Sequence, residues 1–248
     1  MPQPSIFLTG QWRHLVMLNY LVPPATLLPL VPNGTVLDTW QGRTYASLVG
    51  FLFLDTKVMG LPIPFHRNFE EVNLRFYVRR VVNGQVRRGV VFIKEIVPRW
   101  AIAAAARIFY NENYVAMPMR HCFTTEGGMG GNAAEANANV EYGWKLNGVW
   151  NSMAVQPIGQ PQPIADGSEE EFITEHYWGY ARQRDGGTVE YQVEHPRWTA
   201  RRCANPRLIC NAQQLYGPEF APVLADPPLS AFMAEGSEII VRNGVRIA

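Results

Sequence analysis

Lysine is scarce in this chain. Lys57, Lys94 and Lys145 are the only three among 248 residues, and arginine carries nearly all the positive charge. Formal net charge is +1. A chain this close to neutral lacks the clustered basic excess of a general nucleic-acid surface, so no nucleic-acid partner is expected. Cysteine is equally sparse. Cys122, Cys203 and Cys210 have a spacing that fits no zinc ribbon or redox motif. An odd, unframed set predicts reduced thiols and a cytoplasmic protein. No basic n-region opens the chain, and Trp12, Arg13 and His14 interrupt its first apolar residues, so no signal peptide is expected. The most apolar stretches, 17–31 and 101–109, are too short or too broken by proline to span a bilayer, so no membrane partner is expected.

Familiar catalytic spacings are also missing. The five histidines, His14, His66, His121, His176 and His195, form no His-x-x-x-His or His-Glu-x-x-His pattern. A metal site would need His66, His176 or His195 to converge with a carboxylate in three dimensions. Neither a metal nor another cofactor is expected. No Gly-x-Ser-x-Gly elbow occurs. His121 and Cys122 are adjacent, but neighbours on a strand diverge, so they do not form a nucleophile pair. The glycines of 124–139 do not follow a strand and open a helix, and no Gly-Lys-Ser/Thr follows, so no phosphate cradle is expected.

What is present is a succession of short strands. Hydrophobic residues make up 47% and charged residues 17%, enough for a sizeable core in one domain, residues 1–248. Residues 1–14 read as an arm leading into a strand at 15–22. Pro23 and Pro24 start a short helix over 25–30. Strands at 36–40 and 43–54 meet at Gln41-Gly42, a link suited to a tight hairpin. Asn83-Gly84 and Asn147-Gly148 are strong hairpin signals, because a type I′ turn needs positive φ at both positions. They join the strand within 63–82 to 86–97, and 140–145 to 149–155. Arg87 and Arg88, beside the first turn, are expected to be solvated. Asn243-Gly244 predicts a closing hairpin between 238–241 and 245–247. The Ala-rich 99–110 predicts a helix, 114–122 a strand, 124–139 a loop and 156–167 a Pro-rich connector. Ser168 with Glu171 forms a capping box that should start a helix. His176 to Tyr180 leads through Asp185-Gly186-Gly187 into 188–194. A strand at 198–203 and a short helix within 216–224 complete the pattern. Many hairpins with few helices favour a closed or nearly closed antiparallel barrel, which removes exposed edges.

Residues 63–82 hold the best strand pattern and the densest set of ionisable groups. Val72, Leu74, Phe76 and Val78 point one way; Glu71, Asn73, Arg75 and Tyr77 point the other. Facing water, the polar row makes an ordinary half-buried strand. Facing a cavity, it lines a binding site. Glu70 and Glu71 point to opposite sides, so they are not an acid/base pair by themselves. An inward carboxylate would either pair with an arginine or have its pKa raised by desolvation. Arg75 lies about 13 Å along the strand from Glu71. Tyr142, Trp144, Trp150, Tyr177, Trp178 and Tyr180 could stack on a ligand, or simply pack across strands.

Several blocks together resemble the YqjF-like uncharacterised bacterial proteins. They are Trp12-Arg13-His14, Asn19-Tyr20, Asn68-Phe69-Glu70-Glu71-Val72-Asn73-Leu74-Arg75, Tyr110-Asn111-Glu112-Asn113-Tyr114 and Glu175-His176-Tyr177-Trp178-Gly179. That family is more distantly similar to acetoacetate decarboxylase, a cone-like β-barrel with an interior cavity. The decarboxylase uses a buried Schiff-base lysine with a second lysine beside it. Matching its Gly-Arg pair to Ala106-Arg107 places the lysine positions near Tyr114 and Val115. Neither is a lysine, and none occurs from Ile96 to Tyr142. The family's pocket glutamate matches Glu71, and its pocket arginine falls near Leu21 and is missing. The resemblance therefore implies a cavity and one carboxylate without the Schiff-base machinery.

The expectation is a mainly β protein binding a small, partly apolar organic metabolite. Glu71 is the principal polar group and the best catalytic candidate; Arg75, Tyr114, His176 and Tyr180 are further ligand-binding candidates. One alternative is a lyase, hydratase or isomerase using Glu71 or a histidine as acid/base. The other is a non-catalytic oligomeric or regulatory protein, with homo-oligomer contacts through the Gly/Asn/Ala loop and exposed aromatics.

Overall fold

The computed structural model describes residues 3–99, 113–124 and 138–247. The helix expected over 99–110 and the body of the loop expected over 124–139 lie outside these residues. Among the described residues fifteen strands form one sheet. They are β1 (Ile6–Leu21), β2 (Val36–Leu37), β3 (Tyr45–Val58), β4 (Leu61–Pro62), β5 (Phe69–Val82), β6 (Gln85–Val97), β7 (Tyr114–Ala116), β8 (Met119–Thr124), β9 (Asn139–Leu146), β10 (Val149–Pro163), β11 (Trp178–Arg182), β12 (Thr188–Glu194), β13 (Thr199–Ile209), β14 (Ser230–Arg242) and β15 (Val245–Arg246). The short helices are α1 (Pro24–Leu27), α2 (Glu169–Thr174), α3 (Ala212–Tyr216) and α4 (Ala221–Ala225). No helix among the described residues is long and apolar enough to cross a membrane.

The main path runs β15-β12-β11-β6-β5-β3-β1-β14-β13-β10-β9-β8. Pairs Val193–Val241 and Glu194–Ile240 also join β12 to β14. The large sheet thus curves until the order returns on itself through seven strands, from β12 by way of β5 to β14. Pairing is antiparallel except where β11 and β7 lie parallel to β6.

The local turn signals at two of the three expected Asn-Gly hairpins are realised. Asn83 and Gly84 have φ of 51° and 77°, and Asn147 and Gly148 have 49° and 84°. The Asn243-Gly244 hairpin is not. β15 pairs with β12, and the Asn243 N–H donates to Ser5 O, so long-range pairing overrides the local signal. Likewise β2 pairs with β5, and only one bridge, Trp40–Arg43, spans Gln41-Gly42. The arm at 1–14 is mostly strand, because β1 pairs along both edges with β3 and β14. The Pro-rich segment continues β10 to Pro163, with its pairing to β13 interrupted between Ile158 and Gln162. The single short helix expected within 216–224 resolves into α3 and α4 around Gly217 and Pro218.

Both faces of the central strands are covered. Val72, Leu74, Phe76 and Val78 of β5 join one core with Leu18, Leu48, Tyr142 and Trp144. Phe69 and Tyr77, on the opposite face, join a second core with Leu15, Met17, Val49, Phe51 and Phe53. The polar row of β5 lies on this second side, within the curve of the sheet.

Candidate functional site

A cavity of about 340 Å³ opens within the second core. Phe7, Trp12, Phe51, Phe53, Phe69, Phe92 and Trp198 form much of its wall. Glu71, Asn73, Arg75, Glu95, Tyr114 and His176 bring polar atoms into it. Apolar walls with a few convergent polar groups are the usual makeup of a small-molecule site.

Glu71 is 3% exposed. Asn73 Nδ2 donates to its Oε1 at 2.9 Å, and the Tyr114 hydroxyl donates to its Oε2 at 3.4 Å. Burial raises the Glu71 carboxyl to about 7, against the opposing effect of these bonds and of Arg75. Glu70 faces the other way and pairs with His121 Nδ1 at 2.7 Å. Burial, then the neighbouring Glu71 and Glu95, hold the Tyr114 hydroxyl well above its usual range. It therefore stays a proton donor.

Tyr114 reaches the cavity because β7 runs parallel to β6, with Tyr114 beside Glu95. Glu95 was not singled out from the sequence, for a specific reason. Simple alternation along β6 would put it on the opposite face from Phe92 and Val90. A register shift places one extra residue of β6 between the pairs Arg75–Phe92 and Leu74–Lys94. The extra residue reverses the alternation, so Glu95 and Phe92 share the cavity face.

Arg75 is 8% exposed. Its Nη2 donates to Ile173 O at 3.4 Å, its Nε has no partner, and it forms no ion pair with a carboxylate among the described residues. Ile173 belongs to α2. Ser168 Oγ caps this helix, accepting from the Glu171 N–H at 3.1 Å, while Glu171 Oε2 accepts from the Gly167 N–H at 2.6 Å. We expect Ser168→Ala to cost about 1 kcal/mol, read as a lower urea midpoint at unchanged slope.

The turn after α2 delivers His176, whose side chain is 2% exposed. Its ring lies 4.6 Å from that of Tyr77. Nε2 stands 3.9 Å from Asp38 Oδ2, beyond hydrogen-bond distance, and Nδ1 has no partner among the described residues. Burial lowers the imidazole to about 4, so it is neutral at pH 7. Behind it, Arg88 Nε donates to Asp38 Oδ2 at 2.7 Å. Arg87 pairs with Glu190, so neither arginine expected beside the turn is merely solvated.

Tyr180 is the candidate that the structure places elsewhere. It is buried in the other core, its hydroxyl donating to Arg87 O at 3.4 Å, and it does not line the cavity. Alternation puts Trp178 and Tyr180 on one face, but only Trp178 lies at the cavity. Of the aromatics weighed for stacking, Tyr142 and Trp144 also pack in that other core. The aromatics that do line the cavity come from many strands, among them Phe7 and Trp12 of β1, Phe51 and Phe53 of β3, and Phe92 of β6. His195, whose ring stacks at 4.2 Å on Trp198, also faces the cavity. Among the described residues no cluster of three His, Cys, Asp or Glu is placed to hold a metal. All three lysines are described, and none lines the cavity. Tyr114 stands near where the resemblance places the Schiff-base lysine.

Comparison with known proteins accords with this architecture. The chain is 25% identical over 190 residues to the uncharacterized protein YqjF of Bacillus subtilis, covering 75% of this chain and 72% of that protein. Its fold is similar to that of acetoacetate decarboxylase from Legionella pneumophila, with a TM-score of 0.67 at 12% identity, over 100% of this chain and 92% of the other. An acetoacetate decarboxylase-like enzyme from Sphingomonas wittichii matches with a TM-score of 0.64 at 14% identity, covering 98% and 94%. The enduracididine biosynthesis enzyme MppR, complexed with pyruvate, matches at 0.65 and 12%, covering 100% and 92%. At these identities the structural likeness establishes fold alone. The family model DUF2071, described as an uncharacterized conserved protein, matches residues 9–238, and the chain belongs to that family.

Proposed function

We propose that the interior cavity binds a compact, partly apolar organic metabolite, with Glu71 as its principal polar contact and without Schiff-base decarboxylation. The observation that carries this reading is a buried carboxylate at the wall of a largely aromatic cavity of about 340 Å³. An ionisable group is costly to hold in such a place unless something is recognised there. The absence of lysine from the lining supports the second clause, because an imine needs an amine.

The test is a thermal-shift panel of small keto acids, aldehydes and aromatic acids on the native chain and on Glu71→Gln. A ligand at a hundred times its dissociation constant stabilises by about 2.7 kcal/mol. The expected result is at least one hit that Glu71→Gln weakens. A hit bound equally by both proteins would remove Glu71 from the site.

A second reading, acid/base catalysis of a lyase, hydratase or isomerase type, is favoured by one observation. A carboxyl raised to about 7 beside a tyrosine donor is matched to proton transfer near neutral pH. Turnover of a panel hit with a pH–rate limb near 7, lost in Glu71→Gln, would establish it.

A further inference from the structure

The polar row of β5 is ordered along the cavity. Phe69, Glu71, Asn73 and Arg75 follow one another at steps of about 6.8 Å on one face. At the Phe69 end lie Trp12, Phe53 and the exposed Ile63. Trp12 packs edge-on against Phe51 and Phe53 at 5.5 and 5.8 Å. At the other end lie Arg75 and His176. Both flank Tyr77, with the Arg75 guanidinium 5.9 Å and the His176 ring 4.6 Å from the Tyr77 ring.

This second end holds donors whose hydrogen-bonding capacity is largely unused. Arg75 is buried, brings a guanidinium with five N–H donors, and has one long bond to a backbone carbonyl. The His176 ring nitrogens have no hydrogen-bond partner among the described residues. A buried guanidinium normally finds a carboxylate or phosphate, because its desolvation is otherwise uncompensated. Here Glu71, on the same face, is raised to about 7 by burial against the pull of the Arg75 charge, and no ion pair joins it to Arg75. The compensating anion is therefore to be sought in the ligand. The space left beyond Arg75 is walled by aromatic rings, which suit an apolar body of the same molecule.

We propose that the ligand is an amphipathic organic monocarboxylate, its carboxylate held by Arg75 and His176 and its apolar body lying along the Trp12–Phe53–Phe69 wall. This rests on the cavity-binding reading above and names the chemical class that reading leaves open. A phosphate monoester is disfavoured by the single guanidinium, and a hydrocarbon without an anionic group would leave that charge uncompensated.

The test compares octanoate and 3-phenylpropanoate with octanamide and 3-phenylpropanamide, by thermal shift on the full chain. The acids are expected to bind the native protein at least tenfold more tightly than their amides. Arg75→Gln is expected to abolish that preference, and Arg75→Lys to keep part of it. The empty Arg75→Gln protein should melt about 2–4 °C higher than native, since an uncompensated buried charge has been removed. A residue kept only for structure would lower the melting temperature instead. Amides binding as tightly as acids would overturn the proposal and leave the cavity reading intact. A preference that survives Arg75→Gln would overturn the placement of the carboxylate. No binding by any of the four compounds would overturn the monocarboxylate class, while the wider panel, with Glu71→Gln, still decides whether the cavity binds metabolites at all.

Discussion

Replacing Gly236 with alanine is expected to destabilise the protein by about 3–5 kcal/mol, among the largest effects of any single substitution outside the ionisable groups. Gly236 lies in β14 opposite Arg13 of β1, with φ 79°. A Cβ there would fall 2.0 Å from the Trp12 carbonyl oxygen and 2.7 Å from Leu15 Cδ1. The backbone oxygen has little room to retreat, because β1 is hydrogen-bonded to β3 on its other edge. The left-handed conformation adds about 1–2 kcal/mol for any residue with a Cβ. Gly148→Ala supplies the control. It shares a positive φ of 84°, but nothing lies within 4 Å of its added Cβ, so it should show the conformational cost alone. Urea unfolding of both variants decides the matter. If Gly236→Ala falls within about 1 kcal/mol of Gly148→Ala, the close approach of β14 to β1 is refuted. The site has a stake in this contact. β1 carries an extra residue against β3 between Arg13 and Val16, with His14 at φ 55°. That irregularity lets both Trp12 and Leu15 face the cavity, although three residues apart on a regular strand they would point opposite ways.

Glu71→Gln is expected to change stability in opposite proportion to acidity. The Glu71 carboxyl is raised in the folded state to about 7 from its ordinary 4.5. Between those values the folded protein binds the proton more tightly than the unfolded chain does. Native stability therefore falls as pH rises through this window. The penalty is absent below about 4.5 and complete above about 7. It amounts to about 3 kcal/mol, since each pH unit of difference is worth about 1.4 kcal/mol. Glutamine carries no such penalty, and its carbonyl can still accept from Asn73. The gain in stability of Glu71→Gln over native should thus be about 2.5 kcal/mol larger at pH 8 than at pH 5, where part of the penalty is already present, by urea unfolding at each pH. The same difference at both values would show that Glu71 is not desolvated. A variant that is more stable at pH 8 yet deficient in ligand binding would carry the signature of a residue kept for function at the expense of stability.

Taken by itself, the chain determined those features whose causes are local. Alternation along β5 separates an apolar row from a polar one, because successive side chains leave a strand on opposite faces. Asn83-Gly84 and Asn147-Gly148 accept positive φ at little cost, so their hairpins form where expected. Ser168 caps α2 through a bond spanning three residues. Alternation likewise sets Glu71 and Arg75 on one face of β5, without saying which face meets the cavity.

The tertiary structure alone decided which row faces the cavity, since both faces of β5 are buried and alternation has no sign. It decided that Glu95 joins Glu71, because one extra residue in β6 reverses parity at a point no local signal marks. It separated Tyr180 from His176, because β11 presents Tyr180 to the other core while the turn before it aims His176 inward. It also set the Asn243-Gly244 signal aside, since β15 gains a partner in β12 that a local hairpin would deny it. In each case the deciding interaction joins residues far apart in sequence. The identity of such partners is a property of the whole curved sheet and of no segment within it.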